Sequence, residues 1–260
     1  MIKSGTDILK EHSKNNLQFD AKLKQINFLD NRVYKRGDKM YYPSVTTVLQ
    51  YMPKNKFFER WLMDVGHNAD IIKRRAGKEG TQVHMAVESL LKGEEVEWMD
   101  EYGKAKYDER VWEMINKFYD FWTTYKPELI HLEEFVYSDE HQYAGTADLV
   151  CKLDGEVWLL DVKTSNSLHK SHELQLASYA IAMKECKGLD IDRTGIIWLK
   201  SSKRKGSTKK GVYQGKGWEL KPVDNIEENF ELFKLIYKLY RLDYPNIEPI
   251  YKQYPTTLKL

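Results

Sequence analysis

A chain of 260 residues, 42% hydrophobic and 31% charged, has the composition of a soluble globular protein able to bury a core without staples, and no uncharged apolar run reaches the ~18–20 residues of a membrane span. Its two cysteines, Cys151 and Cys186, exclude a disulfide framework and any four-cysteine zinc or iron–sulfur site. The net charge of +2 conceals an asymmetry: residues 200–216, KSSKRKGSTKKGVYQGK, hold seven Lys/Arg and no acid, a focused basic loop on a mildly acidic body. The opening MIKSGTDILKEHSKNN has no apolar segment for a signal peptide, and its acids and scarce arginine argue against a transit peptide, which points to a cytoplasmic protein.

Residues 1–40 read as a helix and a small hairpin, with turns at Asp30-Asn31 and Gly37-Asp38. YPSVTTVLQYM (42–52) passes from an extended X-Pro start into an apolar stretch that Ser44 can cap as a helix over Val45 to Met52. Residues 56–75 and 79–92 read as two helices, the second with Val83, Val87, Leu90 and Leu91 on one face, and 104–125 as a third that ends before Pro127. The period then becomes strand-like. LEEFVYS (132–138), YAGTADLVCKL (143–153) and EVWLLDVKT (156–164), divided by turns at Ser138-Asp139 and Asp154-Gly155, predict a three-stranded meander. A helix at 170–187, a strand GIIWLK (195–200), the basic loop, a strand GWELKPV (217–223) and a helix at 225–241 follow. This order predicts an α/β fold, a central mixed β-sheet flanked by helices, in a single domain over 1–260 with a mostly helical N-terminal part (1–125) and a core over 130–241.

Chemistry concentrates on the two middle strands. Asp148 in GTADLV and Asp161 in LLDVKT are joined through one Asp-Gly turn, so antiparallel pairing brings the acids side by side. Two such carboxylates repel unless a cation shares them, and oxygen ligands of this kind suit Mg²⁺ or Mn²⁺. Strand alternation puts Lys163 on the face of Asp161, where an ammonium can orient or deprotonate a water and stabilise charge on a phosphate. A surface salt bridge on an edge strand is the competing reading of D-x-K, but the apolar setting of Asp161 calls for a partner or a metal. Gln175 and Tyr179, four apart, share a helix face. His84 in GTQVHMAVESLL reads as a site member or as a core histidine bonded to backbone. Glu133 and Glu134 point to opposite faces of their strand, so one of them can join the site. The basic loop reads as a solvated connection or as a phosphate contact through Lys203, Arg204, Lys205, Lys209 and Lys210.

Taken together, His84, Y-x-G-T-x-D (Tyr143 to Asp148), D-V-K (Asp161 to Lys163) and Q-x-x-x-Y (Gln175 to Tyr179) resemble the PD-(D/E)xK nuclease superfamily in its RecB-like branch. P-S-V-T-x-V-L-Q (Pro43 to Gln50), E-R-W (Glu59 to Trp61) and G-x-x-x-H-x-A-x-E-S-L-L (Gly80 to Leu91) are similar to the mitochondrial-genome-maintenance exonuclease group with its phage and bacterial relatives, over about Tyr42 to Trp198. The resemblance implies a restriction-endonuclease-like fold and a metal-dependent deoxyribonuclease that acts on single-stranded DNA with a free end, in replication, recombination or repair. It implies Asp148, Asp161 and the Val162 carbonyl as metal ligands with His84 completing the shell, and Lys163 as the catalytic lysine. Glu133 matches the family glutamate better than Glu134, because E-x-x-V-x-S keeps its distance from Val136; Gln175 and Tyr179 match the pair that supports the site and contacts DNA. The implied reaction is phosphodiester hydrolysis by metal-activated water, leaving a 5′ phosphate. The four cysteines of iron–sulfur relatives are missing, and so is a G-x-x-x-x-G-K-[ST] helicase motif, which points to a free-standing nuclease, and the lack of a transit peptide points to a bacterial or phage protein rather than a mitochondrial one.

Two other readings share these residues. A nucleic-acid-binding module that has lost catalysis would rely on the basic loop; the intact Asp148, Asp161 and Lys163 argue against it. A site-specific or structure-specific endonuclease would keep the same core and differ in its DNA-reading loops.

Overall fold

The computed structural model of the chain describes residues 17–20, 25–28, 31–36, 40–54, 56–247 and 259. Strands β1 (Leu17–Asp20), β2 (Gln25–Phe28), β3 (Asn31–Arg36) and β4 (Met40–Pro43) form an antiparallel sheet in chain order. Here the small hairpin grows into four strands. Its last two reversals fall where the turn residues mark them, with Phe28 facing Asn31 and Arg36 facing Met40. The helix expected in this stretch has no counterpart among the described residues of 17–40, and residues 1–16, 21–24, 29–30 and 37–39 lie outside the described residues.

Helix α1 (Val45–Leu49) starts as anticipated, the Ser44 side chain accepting the Thr47 amide, but stops short of Met52. Helices α2 (Lys56–Val65) and α3 (Ala69–Leu91) are joined by a single 3₁₀ turn, Gly66–Asn68. The helix break expected between 75 and 79 therefore lies at Gly66, whose φ of 57° favours glycine, while Gly77 and Gly80 run inside α3. Helix α4 (Glu109–Tyr125) begins later than expected because the Asp108 carboxylate accepts the amides of Arg110 and Val111. It closes at left-handed Lys126, just before Pro127.

The second half is built on a six-stranded sheet. Strands β5 (Glu128–Ser138), β6 (Tyr143–Leu153) and β7 (Glu156–Lys163) form the expected meander, with positive φ at both Asp154 and Gly155 in the β6–β7 turn. Helix α5 (Lys170–Lys187) crosses over to β8 (Arg193–Trp198), which lies parallel to β7. After the basic loop come β9 (Tyr213–Gly215), too short to be seen in the sequence, β10 (Trp218–Val223) and α6 (Ile226–Asp243). The order β5-β6-β7-β8-β10-β9, antiparallel except for β7–β8, is the mixed sheet anticipated.

Strand alternation sends Val150, Leu159 and Ile196 to one face, against Leu176 and Ala180 of α5 and Phe233 of α6. It sends Leu149, Leu160 and Ile197 to the other, against Val83 of α3 and Phe118 and Phe121 of α4. Helices thus cover both faces, and each fully buried apolar side chain contributes about 1.5–3 kcal/mol. By contrast, α2 buries none of its residues and residues 70–78 of α3 are all exposed, so these helices project from the body. Among the described residues no helix is long and apolar enough to cross a membrane.

Candidate active site

β6 and β7 pair only from Leu153↔Glu156 to Leu149↔Leu160. Beyond that point β6 continues with β5 as far as Ser138↔Tyr143, and β7 continues with β8 as far as Lys163↔Trp198, so the sheet forks. The first residues past the fork are Asp148 and Asp161. Asp148 Oδ2 accepts the Val162 amide at 3.0 Å, satisfying a backbone donor that the fork deprives of its ladder partner. The hairpin spacing read from the sequence thus brings the two acids together, at the point where the sheet opens.

The other side chains converge from separate elements. His84 on α3 places Nδ1 3.5 Å from Asp148 Oδ2, and α3 can come this close because Gly80, one turn earlier, has only 3.2 Å between a notional Cβ and Thr164 Oγ1. Glu133 on β5 falls between the pairs Leu132↔Leu149 and Glu134↔Ala147, opposite Asp148. Ligand atoms of His84, Glu133 and Asp148 all lie within 4.8 Å of one another. Glu134 points away and pairs with Lys187 and, at 3.4 Å, with His131. Glu133 keeps a φ of 47° inside a strand, a conformation costing about 1–3 kcal/mol that places its carboxylate among like charges.

Asp161 is 2% exposed. Its Oδ1 accepts hydrogen bonds from Lys163 Nζ at 3.0 Å and Gln175 Nε2 at 3.2 Å. Oδ2 has the same ammonium 2.7 Å away but accepts no well-directed hydrogen bond. Gln175 also accepts from Lys163 at 3.3 Å and donates to the Tyr179 hydroxyl at 3.4 Å, so one amide bridges the lysine, the acid and the tyrosine. Val162 buries its side chain on the α3/α4 side of the sheet, and Lys163 accepts the Leu199 amide through its carbonyl.

Electrostatics follows this crowding. Burial, then the Asp148 and Glu88 charges, push Glu133 up to about 8, with Arg32 partly offsetting them. Burial raises Asp161 to about 6 against the pull of Lys163. Burial opposes the charge of Lys163, yet Asp161 and Asp148 outweigh it and hold the ammonium above its ordinary range. His172, pushed down to about 3 by burial and by Lys163, stays neutral beside it. An imidazole and three crowded carboxylates, two of them with affinities for protons raised first by burial and then by one another's charge, fit a hard divalent cation.

The residues between the acids have readable duties. Tyr143 donates to the Ser178 carbonyl at 2.8 Å and fixes α5 to β6. Thr146 meets the Tyr34 hydroxyl at 3.1 Å. Two participants escaped the sequence reading. Glu88 follows His84 by four residues, a spacing that could have revealed it. Tyr34 comes from β3, and no spacing signals a contact so distant in sequence. The basic loop starts beside the site: Trp198 Nε1 donates to the Ser165 carbonyl at 2.8 Å and Lys200 reaches Asn166 at 3.2 Å. Lys203, Arg204, Lys205, Lys209 and Lys210 are exposed, with Lys203 3.7 Å from Glu219.

The family model described as the PD-(D/E)XK nuclease superfamily matches residues 60–248, a span that includes every acid, the lysine and the histidine of this cluster. No curated protein matches the chain.

Proposed function

The chain belongs to the PD-(D/E)XK nuclease superfamily, and from that premise we propose that it is a metal-dependent deoxyribonuclease, an exonuclease of single-stranded DNA with a free end that serves replication, recombination or repair in the cytoplasm of a bacterial or phage-infected cell. The observation that carries the reading is the meeting of His84, Glu133 and Asp148 within 4.8 Å, beside the Asp161–Lys163 pair at the fork of the sheet. His84, Glu133, Asp148, Asp161 and the Val162 carbonyl would hold Mg²⁺ or Mn²⁺. Such a cation, when bound, supplies Lewis acidity toward the phosphodiester and makes water a nucleophile at neutral pH.

The chain's own groups do the rest. Lys163, held by Asp161 and Gln175, presents a fixed positive charge to the phosphate as negative charge builds during attack. Gln175 and Tyr179 keep that lysine from swinging away. Single-strand preference is supported by the projecting helices: Phe57 is 80% exposed on α2, and Lys73 lies 5.5 Å over the Phe58 ring, the mix of aromatic and cationic groups that unpaired bases stack on. Exposed Lys203, Arg204 and Lys205, which follow β8 at the site end of the sheet, supply phosphate contacts, and Lys209 and Lys210 extend them along the β9 edge.

Labelled linear and closed circular single-stranded DNA, incubated with the protein and Mg²⁺, test the exonuclease reading. Linear strands are expected to shorten while circles persist. Rapid linearisation of the circles would replace it with an endonuclease that uses the same core.

A further inference from the structure

One positive charge at the site comes from outside the span matched to the family. Arg32 lies on β3, and its backbone is fixed from both sides: its amide donates to Thr47 Oγ1 at 3.0 Å, and its carbonyl accepts the Ser44 amide at 2.9 Å and the Thr47 hydroxyl at 3.3 Å. The P-S-V-T-T-V segment therefore has a local purpose, since its cap residues hold Arg32 in place. Ser44 in turn bridges to Ala144 of β6, and Tyr34, on the same face of β3 as Arg32, reaches the Thr146 hydroxyl at 3.1 Å. The Arg32 side chain hydrogen-bonds Tyr34, and its charge is felt at Glu133 and at Tyr179. Contacts thus run unbroken from Arg32 through Tyr34 and Thr146 to the strand that carries Asp148.

We propose that Arg32 is a substrate-contacting residue of this site, its guanidinium gripping a backbone phosphate of the nucleic acid at the Glu133–Thr146 side of the cluster while Lys163 serves the Asp161 side. The proposal rests on the nuclease reading. A planar guanidinium suits a phosphate by its paired donors, and a rigid mount spares the ordering of a long side chain on binding. An arginine needed only to neutralise Glu133 would not require its backbone to be clamped by a separate helix cap, nor to be tied through Tyr34 to Thr146 of the strand that carries Asp148.

Binding of a short fluorescent single-stranded oligonucleotide, measured in EDTA over a range of KCl, tests this without cleavage. Arg32→Ala is expected to weaken binding on the order of 10–100-fold, as for loss of a hydrogen bond to a charged group. The log Kd against log salt line should flatten by about 0.7. An uncharged methylphosphonate oligonucleotide should bind wild type and variant alike. Arg32→Gln keeps a donor for Tyr34 and guards against misfolding; it should melt like wild type and show the same flattened line. Wild-type affinity and slope in a folded Arg32→Gln protein would overturn the proposal and leave Arg32 as a structural countercharge. A wild-type protein that neither binds nor cuts DNA would instead defeat the nuclease reading, and the proposal with it.

Discussion

At Gly145 an added Cβ would stand 2.3 Å from Tyr179 Cε1, a distance no side chain accepts, so the glycine of Y-x-G-T-x-D is required by the ring above it. Gly145→Ala should destabilise the protein by about 1–3 kcal/mol through overpacking and displace Tyr179 from Gln175. Urea unfolding checks it: combined with Tyr179→Ala, the glycine substitution should cost far less than alone, and strictly additive costs would contradict the contact. Glu133 supplies a second residue-level test. Its folded pKa of about 8, against an ordinary 4.5, means that the metal-free folded protein keeps a proton the unfolded chain has lost. Stability from this group is present below about pH 4.5 and is lost as pH rises through about 8. In EDTA, wild type should lose melting temperature from about pH 5 to about pH 9 more steeply than Glu133→Gln, and equal slopes would refute the raised value. Pairing of Asp148 with Asp161 was legible because a two-residue turn sets hairpin register. The need for glycine at 145 was not, because it depends on where a helix residue 34 positions away comes to rest.

Elements built on local signals match their sequence expectation closely: α5 spans Lys170–Lys187, and the meander turns at Asp154-Gly155. Elements whose limits depend on tertiary contacts do not. Two helices were read over 56–75 and 79–92, but the chain turns at Gly66, and Gly80, inside α3, is placed for its approach to Thr164. The four-stranded N-terminal sheet was read as a smaller hairpin because its strands are only four to six residues long and the surface that buries Tyr34 and Tyr42, formed by Phe135 and Tyr137 of β5 and Ala144 of β6, lies about a hundred residues further along the chain. The basic loop, whose charge was plain in the sequence, carries the element-level prediction. Replacing Lys203, Arg204, Lys205, Lys209 and Lys210 by Ser should weaken DNA binding, flatten the salt dependence by about 0.7 per lost phosphate contact, and raise KM more than it lowers kcat. An unchanged salt slope and KM would make this a solvated connection.

On the scale of the whole molecule, the fork in the sheet is the feature that turns a stable α/β core into a site. Paired as far as Leu149↔Leu160, β6 and β7 are bound into the core; past it they part, leaving room for acids that the closed ladder could not hold. The α3 helix on one face and α5 on the other then deliver His84 and Gln175 to opposite sides of that opening. The sequence displayed the acids and the lysine, while the fork itself arises from how β5 and β8 draw the two strands apart. The most direct test of a metal-dependent nuclease centred here is digestion of end-labelled linear single-stranded DNA by wild type, Asp161→Ala and Lys163→Ala, with Mg²⁺ or Mn²⁺ and with excess EDTA. Wild type should cut only with metal, and each variant, still folded by circular dichroism, should lose at least about 100–1000-fold in rate. Undiminished cutting in EDTA, or by either variant, would contradict it.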